Sequence, residues 1–123
     1  MALPRILIAV PLIAAGAFLP ATGPAPAKAP ASAVGMGHEV FTTGTVRIHV
    51  GDTLKFVNDS RYMHIIGPGR DGTLREDDGD PLQRRVLMPS NDRYTTPPFT
   101  VPGTYYITCS MHPDMTVKVV VTD

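Results

Sequence analysis

Residues 105–115 read YYITCSMHPDM, and this stretch contains the single cysteine of the 123-residue chain. Within it, Cys109, His112 and Met115 follow the spacing C-x-x-H-x-x-M. A thiolate, an imidazole nitrogen and a thioether can converge on one ion from so short a loop, and this donor set favours copper among the common metals. The stretch therefore predicts three of the four ligands of a copper site.

The segments on either side of this stretch have the alternation of short strands. Residues 104–109 place Tyr105, Ile107 and Cys109 on one face, and residues 115–121 place Val117, Val119 and Val121 on one face. No long helical period occurs in the chain. We therefore predict an all-β fold, a β-sandwich of short strands in one modest domain.

Two further alternating segments precede the cysteine. Residues 45–50 and 54–58 are separated by the turn residues Gly51 and Asp52, so we expect them to form a hairpin. The sequence NDS at 58–60 closes the second segment, and we interpret it as a turn although it also matches a glycosylation sequon. Residues 67–93 have the least regular pattern, and we expect a solvated loop there that could include one short strand or helical turn.

A copper site of this kind needs a second imidazole, and His38, His49 and His64 are the candidates. His49 lies on the polar face of an alternating strand and is expected to point to solvent. His38 lies in a glycine-rich segment and is also expected at the surface. His64 lies in an apolar segment well upstream of Cys109. We therefore predict His64 as the remaining ligand.

The N-terminus has the pattern of an export signal. Residues 1–27 carry one positive charge and an apolar core at 6–19, which is shorter than the roughly 20 residues that span a bilayer. Residues 28–35 are an Ala/Pro-rich linker by composition, and residues 36–123 are the predicted domain. We expect a periplasmic, extracellular or cell-surface protein, with an uncleaved membrane tether as the alternative. A lone cysteine outside the cytoplasm is best protected as a metal ligand.

Composition and motifs exclude several other functions. The formal net charge is zero and no basic cluster occurs, so we expect no nucleic-acid partner. We expect the folded domain to make no membrane contact. We expect the protein to be a monomer. Zinc is disfavoured because methionine is a poor zinc ligand. Cys109 and His112 lack an oxyanion motif and an orienting third residue, so an enzyme is not expected.

Two motifs resemble the cupredoxin family of blue, type 1 copper proteins. Residues 46–58 are similar to that family's opening hairpin, and residues 103–109 are similar to its G-x-Y-x-x-x-C strand. The ligand spacing is similar to that of the amicyanin-, pseudoazurin- and plastocyanin-like members. This resemblance implies an eight-strand Greek-key sandwich that binds one copper ion and passes single electrons to and from a redox partner protein.

The resemblance also implies a role for each ligand. His64 matches the upstream histidine, Cys109 the thiolate, His112 the downstream histidine and Met115 the axial thioether. The family commonly has Asn after the first histidine, where this chain has Ile65.

An alternative function keeps the copper and changes its use. Met63 and Met111 flank two of the ligands, and Met36 lies near His38. Thioethers suit Cu(I), so the chain could be an extracytoplasmic copper carrier or buffer. Ordinary core packing is the expected role of Met36 and Met88, because methionine commonly fills gaps. Electron transfer remains the leading hypothesis since its four-ligand set is complete without additional methionines.

Overall fold

The computed structural model describes residues 29–75, 80–82 and 84–123, together with Ala2 and Gly16. Apart from those two residues, the predicted signal peptide lies outside the described residues. Among the described residues, no helix is long and apolar enough to cross a membrane. The described chain is all β.

Nine strands form in the described parts of the chain, and they make two sheets. In chain order they are β1 (Ser32–Gly35), β2 (Thr45–His49), β3 (Leu54–Val57), β4 (His64–Arg70), β5 (Thr73–Leu74), β6 (Val86–Met88), β7 (Arg93–Thr95), β8 (Gly103–Cys109) and β9 (His112–Thr122).

The two sheets enclose one hydrophobic core. The smaller sheet has the order β1-β3-β7, and the larger has the order β2-β9-β8-β4-β5, with β6 paired to β4. Leu54 and Phe56 of the smaller sheet are fully buried, as are Ile107, Val117 and Val119 of the larger one. These are the alternate positions that strand periodicity assigns to one face. The predicted all-β sandwich is therefore confirmed.

The expected hairpin between the two upstream segments is wrong. β2 pairs in parallel with β9 of the larger sheet, whereas β3 pairs with β1 and β7 of the smaller one. The turn itself is tight, since the His49 N–H donates to Asp52 Oδ2 at 2.8 Å and Gly51 has a φ of 90°. It leads the chain from one sheet to the other. Alternation shows that each segment is a half-buried strand but does not identify its neighbour.

The folded domain also begins earlier than predicted. β1 lies inside the Ala/Pro-rich segment 28–35, where Val34 is fully buried and pairs with Phe56. The Ala31 N–H donates to the Thr53 carbonyl at 3.0 Å. Four small residues give too short a pattern to distinguish a strand from a linker, and here the parallel partner strand determines the conformation.

The segment 67–93 contains more regular structure than its composition suggests. β4 continues through Gly67, Pro68 and Gly69, and the Pro68 carbonyl accepts a hydrogen bond from the Arg75 N–H at 2.6 Å. β6 then pairs with the start of β4. Residues 76–79 and 83 are outside the described part of the chain. The larger sheet therefore extends into a segment that we expected to be a loop.

Candidate metal centre

Three of the predicted ligands converge in the structure. The ligating atoms of His64, Cys109 and His112 all lie within 4.8 Å of one another. The Cys109 Sγ is 3.7 Å from Nδ1 of His64 and 3.7 Å from Nδ1 of His112. The centroids of the two imidazole rings are 5.1 Å apart, and the ring planes meet at 60°. Two ring nitrogens and one sulfur thus face a common position that one metal ion could occupy.

Cys109 and His112 are positioned by the main chain. Cys109 ends β8, His112 begins β9, and the two residues pair across a turn formed by Ser110 and Met111. The two residues between Cys109 and His112 therefore form a hairpin turn, and the length of this turn determines the strand register. A contiguous sequence motif thus places the thiol and one imidazole side by side.

Met115 lies in a bulge directly after this turn. Thr108 pairs with Thr116 and Cys109 with His112, so residues 113–115 are extra residues on β9. Bulges of this kind change the direction of side chains and are common beside functional sites. The Met115 side chain is fully buried. Its role as the axial ligand stays a prediction.

Thr108 connects this bulge to the turn between β4 and β5. Its hydroxyl donates to the Met115 carbonyl at 2.8 Å and accepts from the Gly72 N–H at 2.9 Å. The neighbouring Thr116 hydroxyl is 3.0 Å away and accepts from the Asp71 N–H at 3.1 Å. The backbone on which Met115 lies is therefore fixed to a second element of the sheet.

His64 reaches the site through the register of the larger sheet. It begins β4, where Ile66 pairs with Cys109, and its own partner on β6 is Met88. Residues two apart on a strand share a face, so His64 lies on the same face as Ile66. The His64 side chain is fully buried. Sheet pairing thus brings together two ligands that are distant in sequence.

A buried amide supports the segment before His64. Asn58 is fully buried, and its Oδ1 accepts from the Ser60 N–H at 3.1 Å and from the Ser60 hydroxyl at 2.6 Å. The same hydroxyl is 3.2 Å from Nε2 of His64. The Asn58 Nδ2 donates to three main-chain carbonyl groups, those of Tyr62, Met88 and Pro89, at 2.8, 3.0 and 3.0 Å.

Sequence reasoning missed the connection from Asn58 to the site. The bond from the Ser60 N–H to Asn58 Oδ1 agrees with the interpretation of NDS as a turn, and burial makes Asn58 inaccessible as a glycosylation acceptor. One sequence feature does point to its role. Asn58 is two residues after Phe56 and four after Leu54, so strand alternation places its amide on the same buried face. A buried amide needs hydrogen-bond partners.

A main-chain hydrogen bond joins the two ligand segments next to the pairing of β4 with β8. The Ser110 N–H donates to the Ile65 carbonyl at 2.9 Å. Ile65 stands where the family that the chain resembles commonly has an asparagine. Here the backbone makes a connection that does not depend on the side chain at this position.

Burial favours the neutral form of His64, which is the form that binds metals. Burial, followed by the neighbouring His112 imidazole, lowers the pKa of His64 below its usual value, while a hydrogen bond with the Gly37 backbone partly opposes the shift. Metal binding requires a neutral imidazole, because a protonated nitrogen has no lone pair to donate. Protons therefore compete for this ligand less than for an exposed histidine.

The other two histidines differ in their surroundings. The His49 side chain is 72% exposed, as predicted, and its ring lies 3.8 Å from the Asp52 carboxylate. His38 is also exposed, but its ring stacks on Tyr62 and lies edge-on to His112. The sequence did not predict that His38 contacts a ligand.

Among the described residues, the methionines outside the ligand set fall into two groups. Met36 and Met88 belong to the buried core, as expected from ordinary packing. Met63 and Met111 are exposed next to His64 and His112. Only the second pair is available to a metal ion at the surface.

Comparisons with known proteins agree with this geometry. No family model matches the chain. Plastocyanin from Ulva prolifera is 23% identical over 86 residues, covering 70% of this chain and 88% of the relative. The crystal structure of amicyanin from Paracoccus versutus is 29% identical with a TM-score of 0.60, covering 78% of this chain and 85% of that one. A reduced Cu(I) form of an amicyanin variant is 25% identical with a TM-score of 0.58. The match covers 78% of this chain and 86% of the variant.

Proposed function

Because the chain is a member of the cupredoxin family, we propose that it binds one copper ion through His64, Cys109, His112 and Met115 and carries single electrons between proteins. The observation that carries this proposal is the convergence of two imidazole nitrogens on one buried sulfur, each at 3.7 Å. Two imidazoles and a thiolate with a weak axial thioether are the donor set of a blue copper centre.

Copper supplies the one-electron chemistry when it is bound, and the protein supplies a fixed set of donors. Cys109 would hold the ion as the thiolate and would give up its proton to do so. His64 offers Nδ1 while its Nε2 faces the Ser60 hydroxyl, which fixes the orientation of the ring. Burial of His64 and Cys109 limits the access of water to the site.

Electron transfer benefits from the way the ligand segments are held. Cys109 and His112 belong to a strand hairpin, and the Ser110 amide joins that hairpin to Ile65 beside His64. Ligands held by strand pairing move little when the site gains or loses an electron. Because little structure has to rearrange, the barrier to electron transfer stays low.

The wider setting follows from the sequence. We propose that residues 1–27 direct export to the periplasm, the exterior or the cell surface, and that the functional unit is the folded domain that begins at β1. The partner is a redox protein, and the chain acts as a carrier rather than as an enzyme.

A copper carrier is the second candidate function. The exposed thioethers of Met63 and Met111, each adjacent to a ligand, favour it because they could pass Cu(I) to or from the site. Met36 does not add to this set since it is buried in the core.

One experiment separates the two functions. The copper-loaded protein is reduced and reoxidised by voltammetry, and its metal content is measured before and after, with a chelator present in a parallel sample. We expect a reversible one-electron couple with copper retained. Rapid loss of copper to the chelator without a reversible couple would establish the carrier instead. The variant Met63→Leu with Met111→Leu serves as the control, because it removes the exposed thioethers and keeps all four ligands.

A further inference from the structure

A tight turn at residues 37–40 lies against the metal centre. The Gly37 N–H donates to the Val40 carbonyl at 2.9 Å, and Met36 pairs with Phe41. The Gly37 backbone hydrogen-bonds with the ring of His64. The turn is therefore folded and in contact with the upstream ligand.

The same turn also reaches the downstream ligand. Glu39 lines a cavity of about 180 Å³ together with His112 and Met111. The His38 ring centroid is 5.4 Å from that of His112, with the ring planes at 77°. The turn thus contacts both imidazoles of the site.

His38 connects His112 to an exposed tyrosine. The His38 ring stacks on Tyr62 with centroids 3.6 Å apart and planes within 12°. Tyr62 is 46% exposed. The centroid of the His112 ring in turn lies 5.1 Å from that of the His64 ring. Four aromatic rings therefore form a continuous series from the protein surface to the buried ligand.

We propose that electrons enter and leave the metal centre through the His38–Tyr62 stack. This inference rests on the proposed function. Electronic coupling falls steeply across gaps between atoms, and the stacked rings of His38 and Tyr62 extend from the half-buried His112 ring to the protein surface. His38 and Tyr62 are thus the contact residues through which a partner exchanges electrons with His112.

The proposed step is a simple electron transfer. An external one-electron reductant loses one electron, the oxidised metal centre gains it, and the reverse occurs with an oxidant. No covalent bond forms or breaks in the protein, and no proton moves. The rings of His38 and Tyr62 provide coupling only, so neither has to change its own charge.

The test uses a second copy of this chain as the electron donor. The rate of electron self-exchange between oxidised and reduced copper-loaded protein is measured by NMR line broadening. His38→Leu keeps the bulk of the side chain and removes the aromatic ring, so we expect a several-fold lower rate. His38→Phe restores a ring, and we expect a rate close to that of the unmodified protein. Tyr62→Leu and Tyr62→Phe form a second matched pair.

Two further measurements separate coupling from a structural role. The visible spectrum and the reduction potential are expected to stay the same in all four variants, because no ligand changes. In the metal-free protein, the His112 ring protons are expected to shift in His38→Leu through the lost ring current and to stay near their positions in His38→Phe.

Three results would overturn the inference. Unchanged self-exchange in His38→Leu, an equally slow rate in His38→Phe, or His112 resonances that do not respond to loss of the His38 ring would each contradict it while leaving the copper site intact. A copper-loaded unmodified protein without a visible thiolate band would overturn the proposed function, and this inference with it.

Discussion

The two halves of the metal centre are built in different ways. The ligand hairpin, residues 109–112, is positioned by main-chain pairing between β8 and β9. The upstream segment, residues 58–63, is an irregular connection between β3 and β4 that is held by the side chain of Asn58. A motif that can be recognised in the sequence thus stands beside a ligand that begins β4 and is preceded by a segment held by one buried amide.

This difference predicts where the site is sensitive to substitution. A strand hairpin distributes its stability over many main-chain bonds that no side-chain change removes. The upstream segment concentrates its hydrogen bonds on Asn58, and each buried polar group left without a partner costs about 1–3 kcal/mol. Substitutions in the upstream segment should therefore have the larger effects.

The largest effect is expected for Asn58→Ala. This change leaves three carbonyl groups and the Ser60 hydroxyl without their amide partner, so we expect the free energy of unfolding to fall by about 3 kcal/mol or more. Urea denaturation of the metal-free protein measures this loss of stability.

The control is Asp59→Ala. The Asp59 side chain is 73% exposed and lies 3.6 Å from Arg93, and such surface pairs contribute about 0–1 kcal/mol. Equal losses in the two variants would contradict the role given to Asn58.

A smaller effect is expected on the hairpin side for Thr108→Val. The substitution keeps the shape and removes the hydroxyl that contacts Met115 and Gly72, so we expect a loss of about 2 kcal/mol by urea denaturation. Thr104→Val is the matched change on the same strand, at an exposed position, and should alter stability by less than about 0.5 kcal/mol. A loss for Thr108→Val as large as that for Asn58→Ala would remove the contrast between the two regions.

The smallest effect compares one serine from each segment. Ser60→Ala removes the hydroxyl next to Nε2 of His64, and we expect copper affinity to fall about tenfold, the lower end for groups that orient a ligand. Ser110→Ala keeps the main-chain bond to Ile65 and should leave the affinity unchanged. Competition with a copper chelator measures both variants. A larger loss in Ser110→Ala would reverse the comparison.

Local patterns in the sequence predicted the parts of the fold that depend on neighbouring residues. The spacing of Cys109 and His112 predicted a shared site because a two-residue turn brings its flanking residues together. The faces of β8 and β9 followed from strand alternation. His64 was chosen because the two other candidate histidines lie in polar or glycine-rich surroundings, and the structure places it beside the cysteine.

The parts that the sequence did not predict depend on partners distant in the chain. Alternation in β2 and β3 could not show that the two strands belong to different sheets. The strand Ser32–Gly35 depends on pairing with β3, and its composition resembles a linker. The contact of His38 with His112 depends on where the turn after β1 lies once both sheets have formed. In each case the deciding interaction joins residues that no local pattern relates.

The central claim is that the ligand hairpin and His64 bind one copper ion together. The most direct test is to add Cu(II) to the metal-free protein and record the visible spectrum of the unmodified chain and of single variants. We expect an intense thiolate-to-copper absorption in the unmodified protein and in His38→Ala, and its loss in His64→Ala and in Cys109→Ser. A colourless Cu(II) adduct of the unmodified protein, or a band that survives in His64→Ala, would contradict the claim.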